Sequence, residues 1–136
     1  MTVVVAVSDN RESHHAFVAA IAEAKRLGTD LVVVNIGDRE LQEDGTDTSG
    51  VKVTVAKHRK GDAAEVVIDE VVKCDAQRLV IGLKRRTPVG KVLLGSVSQR
   101  LLLNSPVPVL AVKLPAEELS STALSEMRGG IPRVTG

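Results

Sequence analysis

The sequence predicts an α/β domain built on a mainly parallel sheet, and three observations carry that prediction. Two valine-rich apolar runs, Thr2 to Ser8 and Leu31 to Ile36, are too short for typical helices and lack polar alternation, as expected of strands buried on both faces. Between them Ala16, Phe17, Ala20, Ile21, Ala24 and Leu27 recur at helical spacing, so the first third of the chain reads as a βαβ unit. Aromatic residues make up only 1% of the chain, Phe17 alone, which leaves the core to Val, Leu, Ile and Ala. That β-branched composition suits buried parallel strands.

The elements follow in order. Asp9-Asn10 ends the first strand and offers a cap for the helix that runs to Leu27, and Gly28 stands at its C′ position. After the second strand, Gly37 to Gly50 has no apolar face and is dominated by Asp and Glu, so it reads as a solvated loop. Val51, Val53 and Val55 alternate with Lys52, Thr54 and Ala56, which predicts a strand at a sheet edge with one wet face. Gly61-Asp62 caps a helix with Ala63, Val66, Val67, Glu70 and Val71, ending near Cys74-Asp75. The strand Arg78 to Ile81 follows at once. Past Gly95, a helix takes Val97, Leu101 and Leu102 inward and stops before Pro106. Val107 to Val112 is the last strand, with Pro108 unable to donate to a central ladder. From Leu114 the composition shifts toward Pro, Gly, Ser and Glu. Residues 1–114 are therefore read as one domain, and 115–136 as a tail with one short helix and a flexible end.

Composition limits the function. A chain of 136 residues buries roughly two-thirds of its unfolded surface around one core. Lys+Arg 18 against Asp+Glu 17 leaves a net charge of +1, so no global field draws the protein to nucleic acid or anionic lipid. The near absence of aromatic rings removes the stacking platform that single strands and RNA require. One cysteine, Cys74, allows neither an internal disulfide nor a thiolate metal cluster, and the start MTVVVAVSDN has too short an apolar run for a signal peptide. No run approaches the roughly 20 apolar residues of a membrane span. A cytoplasmic protein is expected, binding neither membrane nor nucleic acid.

The stretch from Ile81 to Lys113 carries the chemistry. A strand end at Gly82 is followed by a loop containing Lys84, Arg85, Arg86 and Lys91, and Gly95-Ser96 then opens a helix. A helix start of that kind presents free N–H groups and a positive dipole end to an anion, and Ser96 adds a hydroxyl. Each residue also has a structural reading: Gly82 and Gly95 permit close packing, Ser96 is an N-cap, and the basic residues form a solvated loop. Asp9 is either a helix cap or a ligand residue, since it lies in the crevice at the carboxyl end of a central strand. His14 and His15 are neighbours on a helix and face different ways, and His58 lies in a basic run, so none forms a metal site. Cys74 reads as a small buried hydrophobe. Neither a Gly-x-Ser-x-Gly elbow, a His-Glu-x-x-His helix nor a P-loop lysine pattern occurs, so no catalytic residue is assigned and an enzyme is the less favoured class.

Residues 1–114 resemble a universal stress protein. The resemblance is carried by AVSDN after the first strand, KGDAAEVVIDE before a helix, RLVIGL closing the fourth strand, and above all GSVSQRLLLNSPVPVLAVK. Nucleotide-binding members have Gly, two residues, Gly, nine residues, Gly, then Ser or Thr. Gly82, Gly95 and Ser96 fill the first, third and fourth of these positions, and Arg85 stands at the second. The helix usual between the second and third strands is largely missing. The resemblance implies a single doubly wound, flavodoxin- or Rossmann-like domain with a five-stranded sheet of order 3-2-1-4-5. It implies binding of ATP or a related adenine nucleotide, with Mg, by Val7, Ser8, Asp9, Val34, Gly82, Lys84, Arg85, Gly95, Ser96 and Val97, where Asp9 meets the ribose or base. It also implies a homodimer joined through Val107 to Val112. A nucleotide-free dimeric interaction protein of the same family and a slow ATP hydrolase are the alternatives.

Overall fold

The computed structural model describes residues 1–9, 11–37, 47–56, 61–83 and 95–113. Among them the chain runs β1 (Thr2–Val7), α1 (Arg11–Leu27), β2 (Asp30–Asn35), β3 (Val53–Ala56), α2 (Ala63–Lys73), β4 (Ala76–Gly82), α3 (Ser96–Asn104) and β5 (Val109–Val112). The five strands form one parallel sheet of order β3-β2-β1-β4-β5, the order expected. Lys84, Arg85, Arg86, Lys91, His58 and the tail from residue 114 lie outside the described residues.

Alternation along β1 builds both halves of the core. Val3, Val5 and Val7 join Ala16, Phe17, Ala20, Ile21 and Ala24 of α1 on one face. Val4 and Ala6 join Ala64, Val67 and Val71 of α2 and Leu101 of α3 on the other. Such strands are apolar throughout because a helix covers each side, which is why period-2 patterning is absent from Thr2 to Val7. At the end of α1 the Thr29 N–H donates to the Ala24 carbonyl (3.0 Å) and the Gly28 N–H to that of Lys25 (3.2 Å), the bond pair of a Schellman cap.

Several elements depart from the sequence reading in detail. β4 begins at Ala76, two residues earlier than expected, because the turn after α2 is completed by Asp75 at φ 52°. Val51 is buried but precedes β3, and Val55 is exposed although Val53 on the same face packs on the core. Ala64, not Ala63, is the first buried position of α2. In α3 only Leu101 is fully buried, whereas Leu102 is 39% and Leu103 83% exposed. Three consecutive leucines on a helix are separated by about 100° each, so they cannot share one face. Cys74 is half-buried and its thiol donates to Glu70 Oε2 at 3.0 Å.

Candidate functional site

The sheet order reverses between β1 and β4: the chain leaves β1 toward β2 on one side and returns to β4 on the other. Crevices that bind ligands in open α/β sheets lie at the carboxyl ends of the strands at such a point. Here a cleft of about 330 Å³ opens, walled by residues from β1, α1, α2, β4 and α3.

Its polar rim is fixed by local bonds. The Ser8 N–H donates to Ser13 Oγ (2.8 Å) and the two hydroxyl oxygens lie 3.3 Å apart, which ties the end of β1 to the first turns of α1. Gly82 closes β4 directly beneath that turn: a Cβ there would come within 2.5 Å of the Glu12 carbonyl oxygen. Ala6, Ile36, Ile81 and Leu101 give the cleft an apolar wall.

Two helix starts meet the cleft in opposite states. α2 is capped by Asp62, whose Oδ2 accepts from the Glu65 N–H at 3.1 Å and whose Oδ1 accepts from Arg100 Nη1 at 2.5 Å. The Arg100 guanidinium and the Glu65 amide hold the Asp62 carboxyl below the usual aspartate range. The bridge also joins α2 to α3, setting Ala63 against the α3 side of the cleft. α3 itself has Gly95 at its N-cap with no side-chain cap bond. Its first turn, Ser96 to Ser98, lines the cleft. Backbone N–H groups at an uncapped helix start, with the dipole behind them, favour an anionic group.

Of the residues expected at a site, Ser8, Gly82, Gly95, Ser96 and Val97 come together around this cleft. Val7 and Val34 are 2% and 1% exposed and belong to the two core halves. The Asp9 carboxylate lies against Gly37, where a Cβ would approach its Oδ1 to 2.5 Å, so Asp9 links the ends of β1 and β2. Lys84 and Arg85 are outside the described residues. Sequence reasoning missed Glu12, Ser13 and Ser98. Glu12 and Ser13 come within four residues of Asp9, so the place where α1 meets the strand ends was the available signal. Among the described residues, no three His, Cys, Asp or Glu side chains gather as a metal site, and no helix is long and apolar enough to cross a membrane.

Comparison with known proteins gives this site its context. The model of the Universal stress protein family matches residues 38–113, more than half of the chain. A universal stress protein of Mycolicibacterium smegmatis is 43% identical over 107 residues, which span 68% of this chain and 82% of that protein. Among solved structures, a universal stress protein from Archaeoglobus fulgidus superposes with a TM-score of 0.65 at 26% identity, covering 83% of this chain and 98% of that one. The structure of the universal stress protein from the same organism in complex with dAMP superposes with a TM-score of 0.59 at 20% identity, covering 83% and 98%. With the family model matched from β3 through β5 and a relative this similar, the chain belongs to the universal stress protein family.

Proposed function

We propose that this protein is an adenine-nucleotide-binding module of stress response or signalling, taking ATP or a related adenine nucleotide, with Mg, in the cleft between β1 and β4. The observation that carries the reading is the uncapped start of α3 at that cleft. Gly95, Ser96 and Val97 would hold a phosphate through their backbone N–H groups and the Ser96 hydroxyl. Ala6, Ile36, Ile81 and Leu101 offer an apolar wall for the base, and a volume of about 330 Å³ falls within the ordinary range of small-molecule sites. Lys84 and Arg85 are proposed to add charge over the phosphates, with Asp9 near the ribose or base. The dAMP held by the Archaeoglobus fulgidus relative supports an adenine nucleotide as the ligand class.

The test uses the composition. Without Trp or Tyr the protein absorbs almost nothing in the aromatic ultraviolet, so the adenine band of a bound nucleotide would dominate the spectrum of a purified sample. That band should survive gel filtration and leave on denaturation. Arg85→Ala should lower ATP affinity and flatten its salt dependence, because one phosphate contact is lost. Tighter binding by that variant would make Arg85 an obstruction.

Assembly belongs to the same proposal. β5 is an edge strand, with Leu110 on it 38% exposed and Leu103 of α3 83% exposed. An apolar edge of that kind favours pairing with a second copy, and we propose a homodimer through Val107 to Val112. We assign the protein to the cytoplasm, where Cys74 stays a thiol.

A further inference from the structure

The two faces of the sheet are covered unequally. α2 and α3 both pack on the side of Val4 and Ala6, whereas among the described residues α1 alone packs on the side of Val3, Val5 and Val7. α1 lies mainly over β1 and β4 and reaches β5. At the opposite edge β3 keeps an apolar shelf: Val53 is only partly buried against this core, and Val55 is 45% exposed although Val33 beside it is fully buried. The flank of α1 turned toward that edge carries Val18, which is 43% exposed and shares a helical stripe with Lys25. Lys25 shows which way the flank faces. The Asp47 carboxyl, just ahead of β3, is held below the usual aspartate range by its bonds to Ser49 and then by the Lys25 charge.

The segments next to β3 in sequence cannot cover an apolar shelf. Residues 37–50 contain one apolar side chain, Leu41, and residues 57–60 contain none. The segment beyond β5 is different: Ala116, Leu119, Ala123 and Met127 fall on one stripe at helical spacing, with Glu117, Glu118 and Ser121 off it. Its length also fits. β5 and β3 stand at opposite edges of the sheet, four strand spacings or about 19 Å apart. Five extended residues from Leu114 span about 17 Å and one helical turn about 5 Å more, so Ala123 and Met127 come within reach of that edge. We infer that the C-terminal segment, residues 114–136, folds back on its own chain and lays this stripe on the shelf of Val18, Val53 and Val55. It supplies the second helix that this face of the sheet lacks.

The absence of Trp and Tyr gives the experiment a clean reporter, because Met127→Trp places the only indole of the full chain on the stripe. Docking predicts emission to the blue of free tryptophan and acrylamide quenching severalfold weaker. Adding Val18→Asp or Val55→Asp should return both to the values of free tryptophan, with circular dichroism showing that each variant keeps the parent's helix and strand content. Val18 lies on α1 and Val55 on β3, so one variant remains informative if the other unfolds. Loss of protection in either folded variant supports the docking. An indole as accessible as free tryptophan in the Met127→Trp protein overturns it, and so does protection that survives both substitutions. Refolding Met127→Trp chains with an excess of Val18→Asp chains settles whose shelf is used: unchanged protection means the segment's own chain, whereas lost protection gives the shelf to a second copy and overturns the intramolecular contact.

Discussion

The Glu12 carbonyl oxygen occupies the place a Gly82 side chain would need, 2.5 Å from where a Cβ would sit. The first turn of α1 thereby rests directly on the end of β4. At the other end of the same pair, Glu23 Oε2 lies 3.0 Å from Arg78 Nε, so α1 is held against β4 both near the cleft and far from it. Gly82 fills a signature position, and its packing role is visible without any ligand.

Gly82→Ala should therefore destabilise the fold by about 1–3 kcal/mol, the usual cost of forcing an extra carbon into a packed contact. The contact is with main-chain atoms, which cannot swing aside as a long side chain could. Urea unfolding measures the loss, and a variant as stable as the parent would show that α1 lifts freely.

The Asp62 carboxylate both caps α2 and bridges to α3, and the Arg100 guanidinium, then the Glu65 amide, hold its pKa down. A carboxyl depressed in the folded state contributes stability that is complete well above the ordinary aspartate pKa of about 3.9 and is lost as the pH falls through the lower, folded value. Asp62→Asn should lower the melting midpoint at neutral pH and shrink the further loss between neutral and acid pH. Arg100→Ala should do less, since the amide bond to the cap remains and exposed ion pairs contribute little. Equal midpoints for Asp62→Asn and the parent across that range would contradict the bridge.

Burial first, and then the Glu70 carboxylate, push the Cys74 thiol up to about 11. At mildly alkaline pH its thiolate fraction, and so its rate with a disulfide reagent, should be roughly two orders of magnitude below that of a free cysteine. Glu70→Ala should speed the reaction by removing both acceptor and negative charge. A parent thiol that reacts like free cysteine would contradict the contact.

For assembly, light scattering of the parent at micromolar concentration should give twice the chain mass, and Leu110→Lys, a charge on the exposed edge, should give a monomer. A monomeric parent would remove β5 as an interface.

The strands were legible because each is short, apolar and valine-rich, and the caps at Gly28 and Asp62 because their residue types have few other uses. The strand order came through the family resemblance, since nothing in Thr2–Val7 or Ala76–Gly82 alone says which strands pair. Leu101 reads inward and is buried, but the facing of Leu102 was not legible: adjacent leucines fit a helix in several rotations, and contact with α2 decides among them. Nor was Glu12 visible as a cleft residue. Its placement depends on α1 touching β4 at Gly82, a contact between segments about 70 residues apart that no local periodicity encodes.

The proposed function turns on one binding event. Protein freed of any bound nucleotide by unfolding and refolding, then titrated calorimetrically with ATP and Mg, should show saturable binding of one nucleotide per chain that weakens as salt rises. A titration with no saturable heat up to millimolar ATP, on protein shown to be folded, would contradict it.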